Sequence, residues 1–204
     1  MIVKIYPENP NIKQIEAVVR LLHDDGVIIY PTDTVYGIGC DIYNRKAIDR
    51  IAKIKGRDIE KANFSFICHD LSHLSEYARQ VSNTTFKLMK RHLPGPFTFI
   101  LNASNKVPKL MESRKKTVGI RIPAHSVALS IVEQFGNPIL STSIERNDSM
   151  VEYTTDPELI HEKYEGMVDM VIDSGFGRYE YSTVIDCTGD EPKILRQGLG
   201  ILVE

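Results

Sequence analysis

Cysteine is scarce in this chain. Cys40, Cys68 and Cys187 are scattered and odd in number, a pattern that supports no disulfide framework or paired zinc spacing and fits a reducing cytoplasm. Long apolar runs are missing too. No stretch reaches membrane-spanning length, and MIVKIYPENP has no long apolar core behind a basic start, so neither a membrane segment nor a secretory leader is predicted. Nor does one sign of charge prevail. Twenty-five Lys and Arg face 27 Asp and Glu, a formal net charge of −2, which argues against a general nucleic-acid coat or a membrane-surface binder and leaves room for a local basic patch.

The familiar chemical signatures are equally absent. There is no GxxxxGKS/T phosphate loop and no GxGxxG after a strand. HExxH, CxxC and a serine nucleophile elbow do not occur. Cys68 and His69 are neighbours in a predicted strand, so they point to opposite faces and Cys68 reads as core. The six histidines show no ligand spacing and read mostly as surface groups, and no metal site is predicted. What remains is hydroxyls, guanidiniums and lysine, a set suited to binding anions and phosphates without a covalent intermediate.

The stretch that organises the rest is GVIIYPTDTVYGIG, residues 26–39. Val27-Ile28-Ile29-Tyr30 is a β-branched apolar run typical of a buried strand. Pro31 closes it, because proline has no N–H for a central ladder. Thr32, Asp33, Thr34 and Tyr36 then crowd hydrogen-bonding side chains at the strand end, followed by Gly37 and Gly39. Such a cluster is either ordinary turn chemistry or a ligand site into which backbone can approach closely.

Alternating patterns run along the whole chain. Strands are predicted at 2–6, 27–30, 64–69, 97–101, 117–123, 138–143, 167–172 and 184–186. Helices are predicted after the N-caps Asn11 and Asn44, and over 70–77, 83–92, 127–135 and 156–164. No internal repeat, low-complexity tract or linker interrupts them, so residues 1–204 read as a single α/β domain.

Three features carry charge into this frame. Lys46, Arg50, Lys53 and Arg57 recur at helical spacing, a stripe that is either a solvated face or the approach to Lys55-Gly56-Arg57, whose cations flanking a glycine can grip phosphate oxygens. Lys106 to Lys116 (106–116) is a basic stretch that reads as a solvated loop. Arg121 is a lone cation in TVGIRIP, costly in an apolar strand unless it is paired or meets an anion. Ser141-Thr142-Ser143 adds a second burst of hydroxyls at a strand end.

Taken in order, PTDTVYG, KGR, LPGPFTFIL, TVGIRIP, ILSTS, STVID and ILRQG resemble the YrdC-like family of threonylcarbamoyl-adenylate synthases, over residues 26–198. The resemblance implies a twisted, open, mixed sheet surrounded by helices, with a concave basic cleft. It implies that L-threonine, bicarbonate and ATP, with Mg²⁺ on the phosphates, yield pyrophosphate and threonylcarbamoyl-AMP. A separate threonylcarbamoyl transferase would then pass the group to a tRNA adenosine, and tRNA or double-stranded RNA is a further partner to consider, in the cytoplasm. On the matching positions, Lys55 and Arg57 would hold the ATP phosphates and form the catalytic pair. Thr34, Arg121, Ser141 and Ser182 would contact L-threonine, with Arg121 on its carboxylate. Thr117, Ser143 and Arg196 would contact the nucleotide.

Two departures stand out. Where the synthases carry an SxN element, this chain has Ser143-Ile144-Glu145, which places a carboxylate beside the expected phosphate site. Where they carry a PLIVH-type strand, Ile67 falls at the histidine position, with His69 two residues on. These features resemble the YciO-like branch, whose members would act on another threonylcarbamoyl or RNA substrate, or bind RNA without synthase chemistry.

Overall fold

The computed structural model describes residues 1–56, 64–109, 116–145 and 149–203. In chain order the elements are β1 (Ile2–Lys4), α1 (Ile12–His23), β2 (Ile28–Tyr30), β3 (Gly37–Asp41), α2 (Arg45–Ile54), β4 (Ser65–Ile67), α3 (Leu71–Tyr77), α4 (Asn83–His92), β5 (Phe97–Asn102), β6 (Thr117–Arg121), α5 (Ser126–Phe135), β7 (Ile139–Ser143), α6 (Glu152–Thr155), α7 (Pro157–Lys163), β8 (Met170–Asp173), β9 (Thr183–Asp186) and β10 (Lys193–Arg196). The strands form one sheet in the order β1-β8-β2-β3-β7-β4-β6-β5-β9-β10. Parallel pairs (β1 with β8, β2 with β8, β4 with β6, β5 with β9) mix with antiparallel ones, so the expected open mixed α/β sheet is present.

Local chemistry sets the helix starts. The Asn11 side chain accepts from the Lys13 N–H, Asn44 from Ala47, Asp70 from His73 and Ser82 from Thr85, each satisfying an amide that the first turn leaves orphaned. Pro157 occupies the first turn of α7 behind the Asp156 cap. At the other end of α2, Gly56 takes a left-handed φ of +59°, so the chain leaves the helix immediately after Lys55.

Strand alternation divides the sheet into two unlike faces. One face carries Ile29, Ile38, Cys40, Phe66, Phe99, Val118, Ile120, Leu140 and Ile185 into the larger core. On the opposite face Ile28, Tyr30, Ile67, Ile139 and Met170 pack with α1 and α5 through Val18, Leu22, Val127 and Ile131. Each such buried aliphatic contributes about 1.5–3 kcal/mol. That apolar cover does not extend along the whole of this second face. Gly39, Ser141, Ser65 and Gly119 lie side by side on neighbouring strands, and Gly37 pairs with Ser143 one step further along. The floor there is hydroxyls and glycines.

Several expectations change. The strand at 2–6 is shorter, ending at Lys4, and the strand at 167–172 begins at Met170. Strands and helices do not simply alternate, because β2 and β3 form an antiparallel hairpin with no helix between them. The sequence pattern missed β3, whose two glycines read as turn. No helix among the described residues is long and apolar enough to cross a membrane.

Candidate functional site

The loop between β2 and β3, residues 31–36, folds over the hydroxyl-lined part of the second face. Thr32 Oγ1 accepts from the Thr34 N–H at 3.0 Å and donates to the Val35 carbonyl at 2.8 Å, an ST-type turn that pins the loop. The turn leaves Asp33 facing β6, where Arg121 Nη2 donates to its Oδ1 and also reaches Thr32 Oγ1 at 3.4 Å. The Arg121 and Asp33 side chains are 7% and 12% exposed, so the cation that looked isolated in its strand is a buried ion pair. Satisfaction is incomplete: Asp33 Oδ2, Arg121 Nε and the nearby His125 Nδ1 have no hydrogen-bond partner among the described residues. Burial draws the His125 pKa down, and the neighbouring Asp33 charge partly offsets that.

Beside this pair, Ser182 Oγ shares a hydrogen bond of 2.9 Å with Thr98 Oγ1. Arg196 donates to the Ser182 carbonyl from Nε and Nη2, at 3.2 and 2.9 Å, and stacks 5.1 Å from the Tyr181 ring centre. Its pKa is lowered, first by burial; Tyr181 raises it and the like charge of Arg121 lowers it further. The two guanidiniums therefore act on one region of the face.

Further along the floor, Tyr30 lies across the β3 glycines. A Cβ on Gly37 would come within 2.9 Å of the Tyr30 ring, so only glycine lets the ring settle there. The Tyr30 hydroxyl sits 2.5 Å from Ser141 Oγ, and its pKa is pushed up to about 12, chiefly by burial. At the far end Lys55 Nζ donates to the Ser143 carbonyl at 3.1 Å and stands 3.7 Å from Glu145 Oε1. Glu145 is held by its backbone, its N–H donating to Tyr164 Oη at 3.1 Å and its carbonyl accepting from Lys163 Nζ at 3.4 Å.

The structure thus gathers Arg121, Ser182 and Arg196 at one end of the face and Lys55 and Ser143 at the other, with Ser141 between them. Thr117 stands on the same face as Arg121, at the opposite end of β6. Thr34 is fully buried with its hydroxyl 3.1 Å from that of Thr32, and it is Thr32 that touches Arg121. Arg57 lies outside the described residues, as does most of the basic stretch at 106–116. Tyr30, Thr98 and His125 were not singled out from sequence, and Asp33 was named only as part of the polar cluster at the strand end, not as the partner of Arg121. For Asp33 a signal existed: a buried arginine requires a counter-charge, and PTDT supplies one.

Other expectations are corrected. Arg50 is not a free member of a phosphate-facing stripe, because it forms a two-pronged ion pair with Asp169 at 2.7 and 3.0 Å and bonds the Met167 carbonyl. Lys46 lies 3.6 Å from Asp25. His69 falls beyond the end of β4, its ring 4.5 Å from the buried His73, which packs edge-on to Tyr77, itself edge-on to Phe66 in the larger core. Its ring thus lies toward the larger core, whereas Ile67 packs on the second face, in keeping with the reading that gave His69 no assigned role. His73 itself is only 6% exposed, an exception to the reading of the histidines as mostly surface groups. Cys68 is fully buried, as read.

No group of three or more His, Cys, Asp or Glu side chains among the described residues could hold a metal ion. Two carboxylates beside the floor, Asp33 and Glu145, already face Arg121 and Lys55.

Residues 20–198 match the family model Sua5/YciO/YrdC, described as telomere recombination. The chain belongs to this family. It is 40% identical over 198 residues to the uncharacterized protein YciO of Escherichia coli, covering 96% of this chain and 94% of that one. The crystal structure of E. coli YciO superposes with a TM-score of 0.91 at 39% identity, covering 98% of this chain and 97% of the other. The threonylcarbamoyl-AMP synthase of Pyrococcus abyssi is 33% identical over 178 residues, which span 87% of this chain and 52% of the synthase. The P. abyssi Sua5 crystal structure, complexed with L-threonine, superposes with a TM-score of 0.86 at 29% identity over 97% of this chain and 57% of that one. Membership thus joins the chain both to uncharacterized YciO proteins and to named synthases, and it supports a nucleotidyltransferase-type enzyme at the level of the family.

Proposed function

We propose that this protein forms threonylcarbamoyl-AMP and pyrophosphate from L-threonine, bicarbonate and ATP, as a synthase serving threonylcarbamoyl modification of tRNA. The observation that carries the reading is the position of Arg121. It is a buried guanidinium with an unpartnered N–H, beside a second arginine, at the end of a floor of hydroxyls and glycines. Such a cation suits a substrate carboxylate, and Ser141 and Ser182 suit the remaining polar groups of threonine. Lys55, with Arg57 in the adjoining segment, would hold the phosphates, and Thr117, Ser143 and Arg196 the rest of the nucleotide. Because Lys55 stands at a helix C-terminus, these phosphates would meet side-chain cations and gain nothing from the helix dipole.

No nucleophile is required of the protein. The threonine amine condenses with bicarbonate with loss of water, and an oxygen of the resulting carbamate attacks the α-phosphorus as the bond to pyrophosphate breaks; the side chains orient the reactants and neutralise charge. The test is conversion of ATP, L-threonine and labelled bicarbonate with Mg²⁺. A threonine-dependent labelled adenylate and pyrophosphate support the synthase. Nucleotide binding without product refutes it in favour of a second reading, a paralogue acting on another threonylcarbamoyl or RNA substrate. That reading draws on the strong likeness to YciO and on Glu145.

A further inference from the structure

The Lys55 end of the floor already contains an anion. Ser143 and Glu145 leave β7 on either side of Ile144, which is buried and whose N–H donates to the Tyr36 carbonyl at 3.1 Å. With its own N–H on Tyr164 and its carbonyl on Lys163, the Glu145 backbone is tied on both sides. The carboxylate is therefore delivered to Lys55 by a fixed segment, although its side chain remains 56% exposed. Lys55 is 15% exposed, so little water competes for its charge. Any phosphoryl group that approaches Lys55 must share the cation with Glu145 or displace it.

This proposal rests on the reading above that Lys55 serves the nucleotide phosphates. We infer that Glu145 is a specificity-determining internal counter-anion, and that the cleft holds a nucleotide bringing one phosphoryl group to Lys55, a nucleoside monophosphate or an acyl-adenylate, in preference to a triphosphate. The physical reason is charge. Repulsion from a carboxylate carried by a tied backbone grows with the charge of the ligand, and a triphosphate brings more negative charge into this space than a monophosphate, with about two charges, or an acyl-adenylate, with one. Glu145 thus biases the site toward the adenylate side of the reaction and away from retained ATP or pyrophosphate.

The test is calorimetric titration of the full chain with AMP and with ATP, in EDTA and again with Mg²⁺. In EDTA the unmodified protein should bind AMP more tightly than ATP. Glu145→Gln should raise ATP affinity about three- to fivefold and change AMP affinity less than about twofold. In the double variant Lys55→Met, Glu145→Gln the gain for ATP should disappear, because the cation that the carboxylate screens is gone. An unchanged ATP-to-AMP ratio in Glu145→Gln, or a gain that survives without Lys55, overturns the inference. So does a loss of ATP affinity in Glu145→Gln confined to the Mg²⁺ titration, which would make Glu145 a ligand of the nucleotide's metal. Failure of both nucleotides to bind any variant is a separate result: it overturns the nucleotide reading of the site itself.

Discussion

Arg121 and Asp33, 88 residues apart in sequence, form an ion pair in which the guanidinium Nη2 donates to Oδ1 while the arginine Nε and the other carboxylate oxygen stay unpartnered among the described residues. Both side chains are largely withdrawn from water. Removing one charge leaves the other buried alone, so Asp33→Ala should cost about 3–5 kcal/mol, measured by urea unfolding. The double variant Asp33→Ala, Arg121→Leu should recover part of that loss. A double-variant loss equal to the sum of the losses in Asp33→Ala and Arg121→Leu alone would show that the two charges are not coupled.

The proposed phosphate role of Lys55 and Arg57 predicts loss of product without loss of fold. Lys55→Ala and Arg57→Ala should each lower adenylate formation by at least about 100-fold, the scale of removing one charge-stabilising donor from an active site. Near-ultraviolet circular dichroism should be unchanged. Undiminished activity in both variants would exclude this assignment.

Local chemistry made the helices legible. Asn11 and Asn44 cap α1 and α2 as their sequence context indicates, because a cap depends on a few neighbouring residues. Strand β3 was not legible. GIGCD forms a strand because Ile38 and Cys40 bury in the larger core while Gly37 and Gly39 admit the Tyr30 ring, and both conditions are set by residues elsewhere in the chain. The same holds for charge. TVGIRIP shows that Arg121 needs a partner and PTDT offers a carboxylate, but only the fold brings the two together. The helical spacing of Arg50 suggests a stripe, whereas the ion pair with Asp169 spans 119 residues.

That second ion pair has its own pH dependence. Burial pushes the Asp169 pKa up, but the bonds from Arg50 and the Val27 N–H outweigh it and the net shift is downward. A carboxylate depressed in the folded state contributes stability that is present above its unfolded pKa, about 3.9, and is lost as pH falls through the folded value. Asp169 is 34% exposed, so solvent screening reduces the contribution. Asp169→Asn should therefore cost about 1 kcal/mol at neutral pH, and the difference from the unmodified protein should begin to narrow near pH 4 and close as pH falls through the folded value. Urea unfolding from neutral to acid pH is the check; a constant difference would place the cost in packing.

Gly39 and Gly119 lie in the same row of the floor, yet they should respond differently to alanine. A Cβ on Gly39 would stand 2.6 Å from Ile139 Cγ2 and 2.6 Å from the Leu140 carbonyl, so backbone must move and the fold should lose about 1–3 kcal/mol. A Cβ on Gly119 would meet the Phe64 carbonyl, Ser65 and Thr98 at 3.6 Å, ordinary contact. Gly119→Ala should keep or slightly raise the melting temperature, since it also restricts the unfolded chain. Its added methyl would nevertheless rise from the floor between Ser65 and Thr98, where the proposed substrates must lie. Adenylate formation should fall at least about tenfold. A Gly119→Ala protein as active as the original, with its stability intact, would move the substrates off this part of the sheet.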